Sequence, residues 1–266
     1  MSGFSAAWLA MRERYDRAAR NAAVLDAVAG AFASASAVTV TDLGCGTGAT
    51  MRAIASRLPA HQRWRLVDND NFLLDAARKA TPAEASVRTV VFDLAGPIEQ
   101  ALDDCDLVAT SALLDLVSAA WLDRLVASLV RLSRPFYAAL SYDGAVTLMP
   151  DTRHDAVVTA AVNRHQRTDK GFGPALGPEA ARTAPARFRD AGFAVLEGRS
   201  DWRFGPDDRE IQMAIFDGWA GAAREIGVNP STLEEWLGER RNHVTAGRSH
   251  LQVGHIDFFA TPIGRR

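Results

Sequence analysis

Apolar positions recur along the chain with two different periods, and the change of period marks the predicted elements. In residues 4–32 they lie three or four positions apart, as at Trp8, Met11 and Tyr15, which predicts one long helix. Short segments rich in β-branched residues follow, separated by stretches with helical spacing. This alternation predicts βαβ units with right-handed crossovers, and therefore a mostly parallel sheet.

The alternation is regular only in the first half of the chain. There, strands are predicted at residues 38–43, 64–67, 87–92, 107–110 and 136–142, with helices at residues 47–58, 71–80 and 119–132. The second half is predicted to hold helices at residues 151–166, 179–191, 208–226 and 232–246, a glycine- and proline-rich loop at residues 170–178, and strands at residues 193–196 and 251–260. The sequence thus predicts a doubly wound α/β fold of seven strands, with helical insertions in its C-terminal half.

Composition and charge narrow the classes of function. The chain has 266 residues, of which 48% are hydrophobic, and a formal net charge of -2, as expected for one globular α/β domain. Because no basic stripe is present, nucleic acid is not expected as a partner. The two cysteines lack metal or disulfide spacing, and no apolar segment suits a signal peptide or membrane span, so we expect a cytoplasmic protein.

The strongest motif is a glycine-rich segment between the first predicted strand and the helix after it. Residues 42–48 run Asp-Leu-Gly-Cys-Gly-Thr-Gly, and glycine lets a backbone turn tightly and approach a ligand closely. Gly44, Gly46 and Ala49 also fit a dinucleotide pattern formally. Asp42 separates the two interpretations, because a carboxylate here complements a cationic ligand and not an anionic pyrophosphate.

With acidic residues at two further strand ends, this segment resembles motif I of the class I S-adenosylmethionine (SAM) dependent methyltransferases. The resemblance covers residues 38–142 and is only architectural beyond them. It implies that the glycines cradle the methionine end of SAM and that Asp42 orients its ammonium through the loop. It also implies that Asp68 binds the ribose, while Asp93 and Leu94 flank the adenine. The cofactor-binding residues expected from the resemblance are Asp42, Gly44, Cys45, Gly46, Gly48, Asp68, Asn69, Asp93, Leu94, Thr110 and Ser111.

The resemblance also implies how the chain is organised. We expect a single Rossmann-like methyltransferase domain over residues 1–266, with an N-terminal helical cover at residues 1–37. Residues 38–142 would form the SAM-binding half and residues 143–266 the acceptor-side half, with helical insertions at residues 151–170 and 207–247. The expected reaction moves the methyl group of SAM to an O or N atom of a small molecule, leaving S-adenosylhomocysteine, mainly by proximity and alignment.

Acceptor-specific motifs of the family are missing after the fourth predicted strand. Residues 110–113 run Thr-Ser-Ala-Leu, which is neither the Asn-Pro-Pro-aromatic stretch of nucleobase amino methylation nor a Pro-Cys nucleophile. Asp115 lies too far into the next segment to be expected as a metal ligand, so a metal-independent reaction is favoured. His165 and Tyr142 are candidate catalytic groups, although a helix terminus and a polar turn explain them as well. Arg12 is a candidate partner of the methionine carboxylate.

Two other functions stay open at this stage. A nicotinamide-dependent oxidoreductase would share the fold, but it would have to tolerate Asp42 beside a pyrophosphate. A non-catalytic SAM-binding protein would keep the glycine loop and lack an acceptor pocket. Likeness at the level of the fold does not separate them.

Overall fold

The computed structural model describes residues 4–81, 85–102 and 104–264. Its strands are β1 (Ala37–Leu43), β2 (His61–Asp68), β3 (Ala85–Val91), β4 (Leu107–Ser111), β5 (Phe136–Met149), β6 (Phe193–Arg199), β7 (Trp202–Phe204) and β8 (His250–Pro262). Its α-helices are α1 (Ala6–Ala19), α2 (Ala22–Ala31), α3 (Ala49–Ile54), α4 (Asn71–Lys79), α5 (Ala119–Leu132), α6 (Asp155–His165), α7 (Ala180–Asp190), α8 (Arg209–Glu225) and α9 (Pro230–Thr245).

Within the described residues, one sheet holds all the strands in the order β3-β2-β1-β4-β5-β8-β6, and β7 pairs with β8 beside this path. Strands β1 to β5 are parallel to one another, whereas β8 is antiparallel to β5, β6 and β7. The predicted α/β sheet, mostly parallel and Rossmann-like, is therefore confirmed. The additional strand β7 was not predicted, because three residues are too few to show a period of two.

Two buried layers lie on opposite faces of the sheet, which makes the fold doubly wound. One layer holds residues of α5 and α7, such as Trp121 and Phe188. The other holds residues of α2, α3 and α4, such as Val24, Met51 and Leu74. Strand β4 and the first half of β5 are covered on both faces, and their sequences are accordingly nearly continuous apolar segments, whereas the edge strand β3 has no fully buried residue.

The predicted helix over residues 4–32 is wrong in one respect, because it is two helices. Arg20 has an extended ψ of 135° and ends α1. The Asn21 side chain caps α2 by accepting a hydrogen bond from Val24 N at 3.1 Å, and its own backbone N–H donates to Asp257 Oδ2 at 2.9 Å. A cap and a distant carboxylate thus override local helix propensity at this position.

Helices α6, α8 and α9 pack against the long ribbon of β5 and β8 and form a third buried cluster around Trp236. Trp8 and Tyr15 of α1 also pack against this cluster, so α1 connects the N-terminal segment with the C-terminal helices. Asp155 lies at its centre, where it pairs with Arg240 and accepts a hydrogen bond from Trp236 Nε1 at 2.8 Å. Across the described part of the chain, no helix is both long and apolar enough to span a membrane.

Candidate functional site

The glycine-rich loop after β1 turns with positive φ at each glycine of the motif. Gly44, Gly46 and Gly48 have φ values of 64°, 52° and 82°, a region that side chains disfavour. A Cβ atom added to Gly46 would lie 3.2 Å from Leu9 Cδ1, so α1 covers the loop closely. The backbone N–H of Cys45 donates to Val67 O at 3.0 Å, which ties the loop to the end of β2.

Asp68 ends β2 beside this loop, as predicted for a ribose-binding carboxylate. Its Oδ2 accepts a hydrogen bond from Gly46 N at 2.8 Å and its Oδ1 accepts one from Asp70 N at 3.0 Å. Burial raises its pKa, and the Gly46 N–H opposes that shift. Each carboxylate oxygen can accept more than one hydrogen bond, so these bonds orient Asp68 and still leave acceptor capacity. Asn69, the next predicted residue, is exposed.

Of the two predicted cofactor residues after β3, one is exposed and the other is buried. Asp93 is exposed, and its Oδ1 accepts a hydrogen bond from Ala95 N at 2.9 Å. Leu94 is buried in the core, and its carbonyl oxygen accepts a hydrogen bond from Trp121 Nε1 at 2.6 Å. Their local structure holds this strand end in place and leaves the outer carboxylate oxygens of Asp93 accessible to a ligand.

Asp42 lies fully buried beneath the loop. Among the residues that the structure describes, neither of its carboxylate oxygens meets hydrogen-bond geometry with a partner. Burial raises the pKa of this carboxyl to about 7, the cation of Arg20 opposes the shift, Asp68 adds to it, and the nearby Thr50 side chain lowers it slightly. A buried carboxylate in this state is costly, and a nearby positive charge would stabilise its ionised form.

Arg20 is a site residue that sequence reasoning missed. Its Nη1 donates to Tyr137 Oη at 2.8 Å and its Nη2 to Ser111 Oγ at 3.4 Å, below the carboxyl ends of β4 and β5. It therefore holds the predicted residue Ser111 next to the loop. The hydroxyl of Thr110, also predicted, donates to Leu43 O at 2.8 Å and joins β4 to the start of the loop. The sequence feature that could have drawn attention to Arg20 is the next residue, Asn21, which is a typical cap at the start of a helix.

Helix α1 is fastened over the loop by an ion pair. Glu13 Oε2 lies 2.6 Å from Arg52 Nη2, and Arg52 Nη1 also donates to Thr47 O at 2.5 Å. Arg12, the predicted partner of the methionine carboxylate, instead has its Nε 2.9 Å from Asp16 Oδ2, with its guanidinium 5.0 Å from the ring centroid of Trp202.

The two candidate catalytic groups lie on the acceptor side. Tyr142 is buried, donates to Asn163 Oδ1 at 2.7 Å, and has a pKa raised by burial and by Asp143 and Asp115. His165 Nε2 lies 2.9 Å from Glu225 Oε2, so its ring faces an exposed carboxylate on α8. Over residues 4–81, 85–102 and 104–264, no three His, Cys, Asp or Glu side chains gather in a group able to hold a metal ion.

Asp115, between β4 and α5, is a second group that sequence reasoning passed over. It is buried, and within the described chain its Oδ1 has no hydrogen-bond partner.

Together, the carboxyl ends of β1 to β5 present a glycine cradle, acidic groups and little free cationic charge. This set of donors and acceptors suits a ligand with positive charge and hydroxyl groups, which SAM has, and it suits a pyrophosphate poorly.

Comparison with known families supports this assignment. The family model described as "Methyltransferase domain" matches residues 40–136, from β1 to the start of β5. This stretch is therefore similar to a methyltransferase domain, and the predicted resemblance to class I SAM-dependent methyltransferases is confirmed. The match also supports SAM as the cofactor. No curated protein matches the sequence.

Solved structures give the same fold at low sequence identity. A cyclopropane-fatty-acyl-phospholipid synthase-like protein from Lactobacillus casei superposes with a TM-score of 0.56 at 12% identity, over 97% of this chain and 94% of its own. The cyclopropane synthase MmaA2 from Mycobacterium tuberculosis gives 0.48 at 15% identity, over 90% and 83%. A phosphoethanolamine N-methyltransferase 2 from Haemonchus contortus, solved with phosphomonomethylethanolamine and S-adenosylhomocysteine, gives 0.43 at 13% identity, over 90% and 52%. At 12% identity, the likeness to the Lactobacillus casei protein concerns the fold alone.

Proposed function

We propose that this chain, whose residues 40–136 match a methyltransferase-domain family model, transfers the methyl group of SAM to an O or N atom of a small molecule. The observation that carries the proposal is the site at the ends of β1 and β2. There, a loop of three positive-φ glycines lies between two carboxylates, Asp42 and Asp68, one of which lacks a partner among the described residues.

In the proposed complex, the glycine loop would bind the methionine end of SAM. The motif glycines have no side chains, so they leave the outer face of the loop open for it. Asp68 is already oriented by the N–H groups of Gly46 and Asp70 and would accept hydrogen bonds from the ribose hydroxyls. The exposed carboxylate of Asp93 would accept from the exocyclic amine of adenine. The remaining predicted residues would border the cofactor or hold the residues that contact it; they are Cys45, Asn69, Leu94, Thr110 and Ser111.

Asp42 would act on the cofactor through its charge and not through direct contact, because it is buried beneath the loop. When bound, SAM supplies a methyl group on a cationic sulfonium and carries an ammonium at its methionine end. Both charges would favour the ionised form of Asp42, whose pKa burial raises to about 7. An anionic pyrophosphate would disfavour that form, which is why we rank a nicotinamide-dependent oxidoreductase below a methyltransferase.

The protein's contribution to methyl transfer is mainly alignment. The acceptor atom must approach the methyl group opposite the sulfur, and water must be kept out. Helix α1 and its Glu13–Arg52 ion pair would close the cofactor side, while the helices α6, α8 and α9 of residues 143–264 would form the acceptor side. We propose no metal ion in this step, in keeping with a small-molecule acceptor.

Calorimetric titration with SAM, S-adenosylhomocysteine and NADH tests the proposal. We expect micromolar binding of the first two ligands and none of NADH. Binding of NADH alone would contradict it and favour the oxidoreductase. A protein that binds SAM but methylates no compound in a broad screen of hydroxyl and amine acceptors would instead be a non-catalytic SAM-binding protein.

A further inference from the structure

Asp115 is a buried carboxylate that has no role in the proposed cofactor site. It is 6% exposed, and in the part of the chain that the structure describes its Oδ1 has no hydrogen-bond partner and it forms no ion pair. Buried polar atoms are almost always hydrogen-bonded, so an exception of this kind calls for a function or an absent ligand. Its position in the fold indicates which.

Asp115 belongs to the segment that joins β4 to α5, and this segment connects the two sides of the site. Two residues before it, Leu113 packs on the glycine loop, where a Cβ added to Gly44 would lie 3.4 Å from Leu113 Cδ1. At Asp115 itself, the carbonyl oxygen accepts a hydrogen bond from Gly177 N at 2.9 Å. The loop over residues 166–178, here called the covering loop, is thus bonded to the backbone of the segment that carries this carboxylate.

The loop is held there by more than one contact. Leu176 N donates to Val117 O at 2.8 Å, and Ser118 pairs with Ala175 in an isolated β-bridge. Phe172 packs on Trp121 of α5 with ring centroids 5.9 Å apart. The segment that carries Asp115 therefore contacts both the glycine loop and the covering loop, which is where an acceptor would meet the methyl group in the proposed function.

The charges around Asp115 come from three elements. Arg12 of α1 and Lys170 of the covering loop act on it as cations, and the N–H of Tyr142 in β5 as a donor, and each of these lowers its pKa. Its own backbone N–H does so as well, but burial outweighs them all and raises the pKa to about 6. The Tyr142 phenol faces it with a pKa raised chiefly by burial. At neutral pH the Asp115 carboxylate is ionised and able to accept a proton.

We propose, on the basis of the proposed methyltransferase function, that Asp115 is the general base that takes the proton of the acceptor through its Oδ1. The acceptor's O–H or N–H bond breaks and its proton goes to Asp115. A bond forms between that O or N atom and the methyl carbon, while the methyl–sulfur bond breaks and its electron pair stays on the sulfur of S-adenosylhomocysteine. The acceptor class is accordingly an alcohol, phenol or amine that must lose a proton, and not a thioether or tertiary amine.

A titration that needs no acceptor tests this placement. The protein is labelled with ¹³C at its aspartate carboxyl carbons, and Asp115→Asn identifies the Asp115 signal by its absence. The pKa of Asp115 is then measured in complexes with S-adenosylhomocysteine, which lacks a charge at sulfur, and with sinefungin, which carries an ammonium near the position of the methyl group. Asp155, paired with Arg240 in the C-terminal cluster, is the internal control.

We expect the Asp115 pKa to be lower in the sinefungin complex by about one unit or more, since an opposite charge within a few ångströms shifts a carboxyl by that amount. The Asp155 signal should not differ between the two complexes. Equal Asp115 pKa values in the two complexes would overturn the assignment, because the carboxylate would then not face the transferred methyl. Failure of both ligands to bind would overturn the proposed function itself and is a separate observation. Should Asp115→Asn not fold, Asp115→Glu identifies the same signal by its absence, because glutamate does not carry the label.

Discussion

Buried carboxylates in the two halves of the molecule have opposite surroundings. In the first half, Asp42 and Asp115 are buried with oxygens that lack partners among the described residues. In the second half, Asp155 is bound by Arg240 and Trp236, and Asp257 accepts the N–H groups of Leu140 and Asn21 at 2.8 and 2.9 Å. The difference teaches that charge satisfied by the chain itself builds structure, whereas charge left unsatisfied marks where a ligand belongs.

The largest effect should come from removing the unpartnered carboxylate on the acceptor side. We expect Asp115→Asn to lower kcat by about 10²- to 10⁴-fold, the range for loss of a general base. In the unaltered protein, kcat should rise through about pH 6 and level off above it, because the base acts when ionised. The variant should lose this rise. Methyl transfer from radiolabelled SAM to an acceptor found by screening measures both effects.

The same variant gives the matching control, since the affinity for S-adenosylhomocysteine, which carries no charge at sulfur, should stay within about twofold of the original when measured by calorimetry. A variant with unchanged kcat and the original pH profile would show that Asp115 is a structural carboxyl, and the comparison between the halves would then fail at this residue.

Breaking a satisfied pair in the second half should instead cost stability. Arg240 is fully buried and paired with the part-buried Asp155, so Arg240→Ala removes the cation from this carboxylate and should lower the free energy of unfolding by about 3 kcal/mol, the lower end of the range for a buried pair. Urea denaturation measures this loss. Arg241→Ala, which breaks an exposed pair with Asp217, should cost less than about 1 kcal/mol. Equal losses in the two variants would contradict the structural role of Asp155.

At the cofactor site, Asp68→Ala should weaken SAM binding without unfolding the protein. Loss of charged hydrogen bonds of about 1.5–3 kcal/mol corresponds to roughly a 10- to 100-fold rise in Kd. Calorimetry gives the affinity, and circular dichroism checks the fold. Asp75→Ala on α4, which removes an exposed carboxylate paired with Arg78, should leave Kd unchanged. An unchanged Kd in Asp68→Ala would remove the ribose assignment.

The smallest effect tests whether burial of Asp42 lowers the stability of the folded protein. Its folded pKa of about 7 lies above the ordinary value, so the fold binds the proton more tightly than the unfolded chain does. Stability is therefore lost as pH rises from about 4 to 7, by up to about 4 kcal/mol at 1.36 kcal/mol per unit. Asn at this position still leaves a buried amide unsatisfied, so Asp42→Asn should gain only about 1–2 kcal/mol at pH 8.

Thermal unfolding of the original protein and the variant between pH 4 and pH 8 measures this gain as the difference between the two. The difference is needed because other groups also change stability with pH. Asp115 lowers stability as pH rises, as Asp42 does, whereas His255, with a pKa lowered to about 3, raises it. SAM affinity should fall in the same variant. A ligand-free Asp42→Asn protein that is less stable than the original at pH 8 would mean that Asp42 is satisfied in the fold.

The sequence predicted the elements whose causes are local. Strands β1 to β5 and the glycine loop follow from apolar segments that end in glycine and aspartate, and α5 follows from the cap at Ser118 and its apolar spacing. The break between α1 and α2 was missed because its cause is Asp257, far along the chain, which accepts the N–H of Asn21. No local pattern announces such a contact.

The candidate site divides in the same way. The cofactor residues were found because their spacing is fixed by one strand–loop–helix unit, although their roles stay predictions. Asp115 was passed over since its surroundings are assembled from α1, β5 and the loop over residues 166–178, which only the fold brings together. His165 was favoured by its neighbours in sequence, whereas its ring partner, Glu225, lies on α8.

The place of β8 has a consequence for how the chain folds. It pairs with both β5 and β6, yet residues 150–249 separate it from β5, so this pairing closes a long loop late and slowly. Until β8 arrives, the parallel strands β1 to β5 end in an open edge with unpaired backbone groups. We expect the lifetime of that edge during refolding, more than the stability of the finished fold, to govern how readily the protein aggregates.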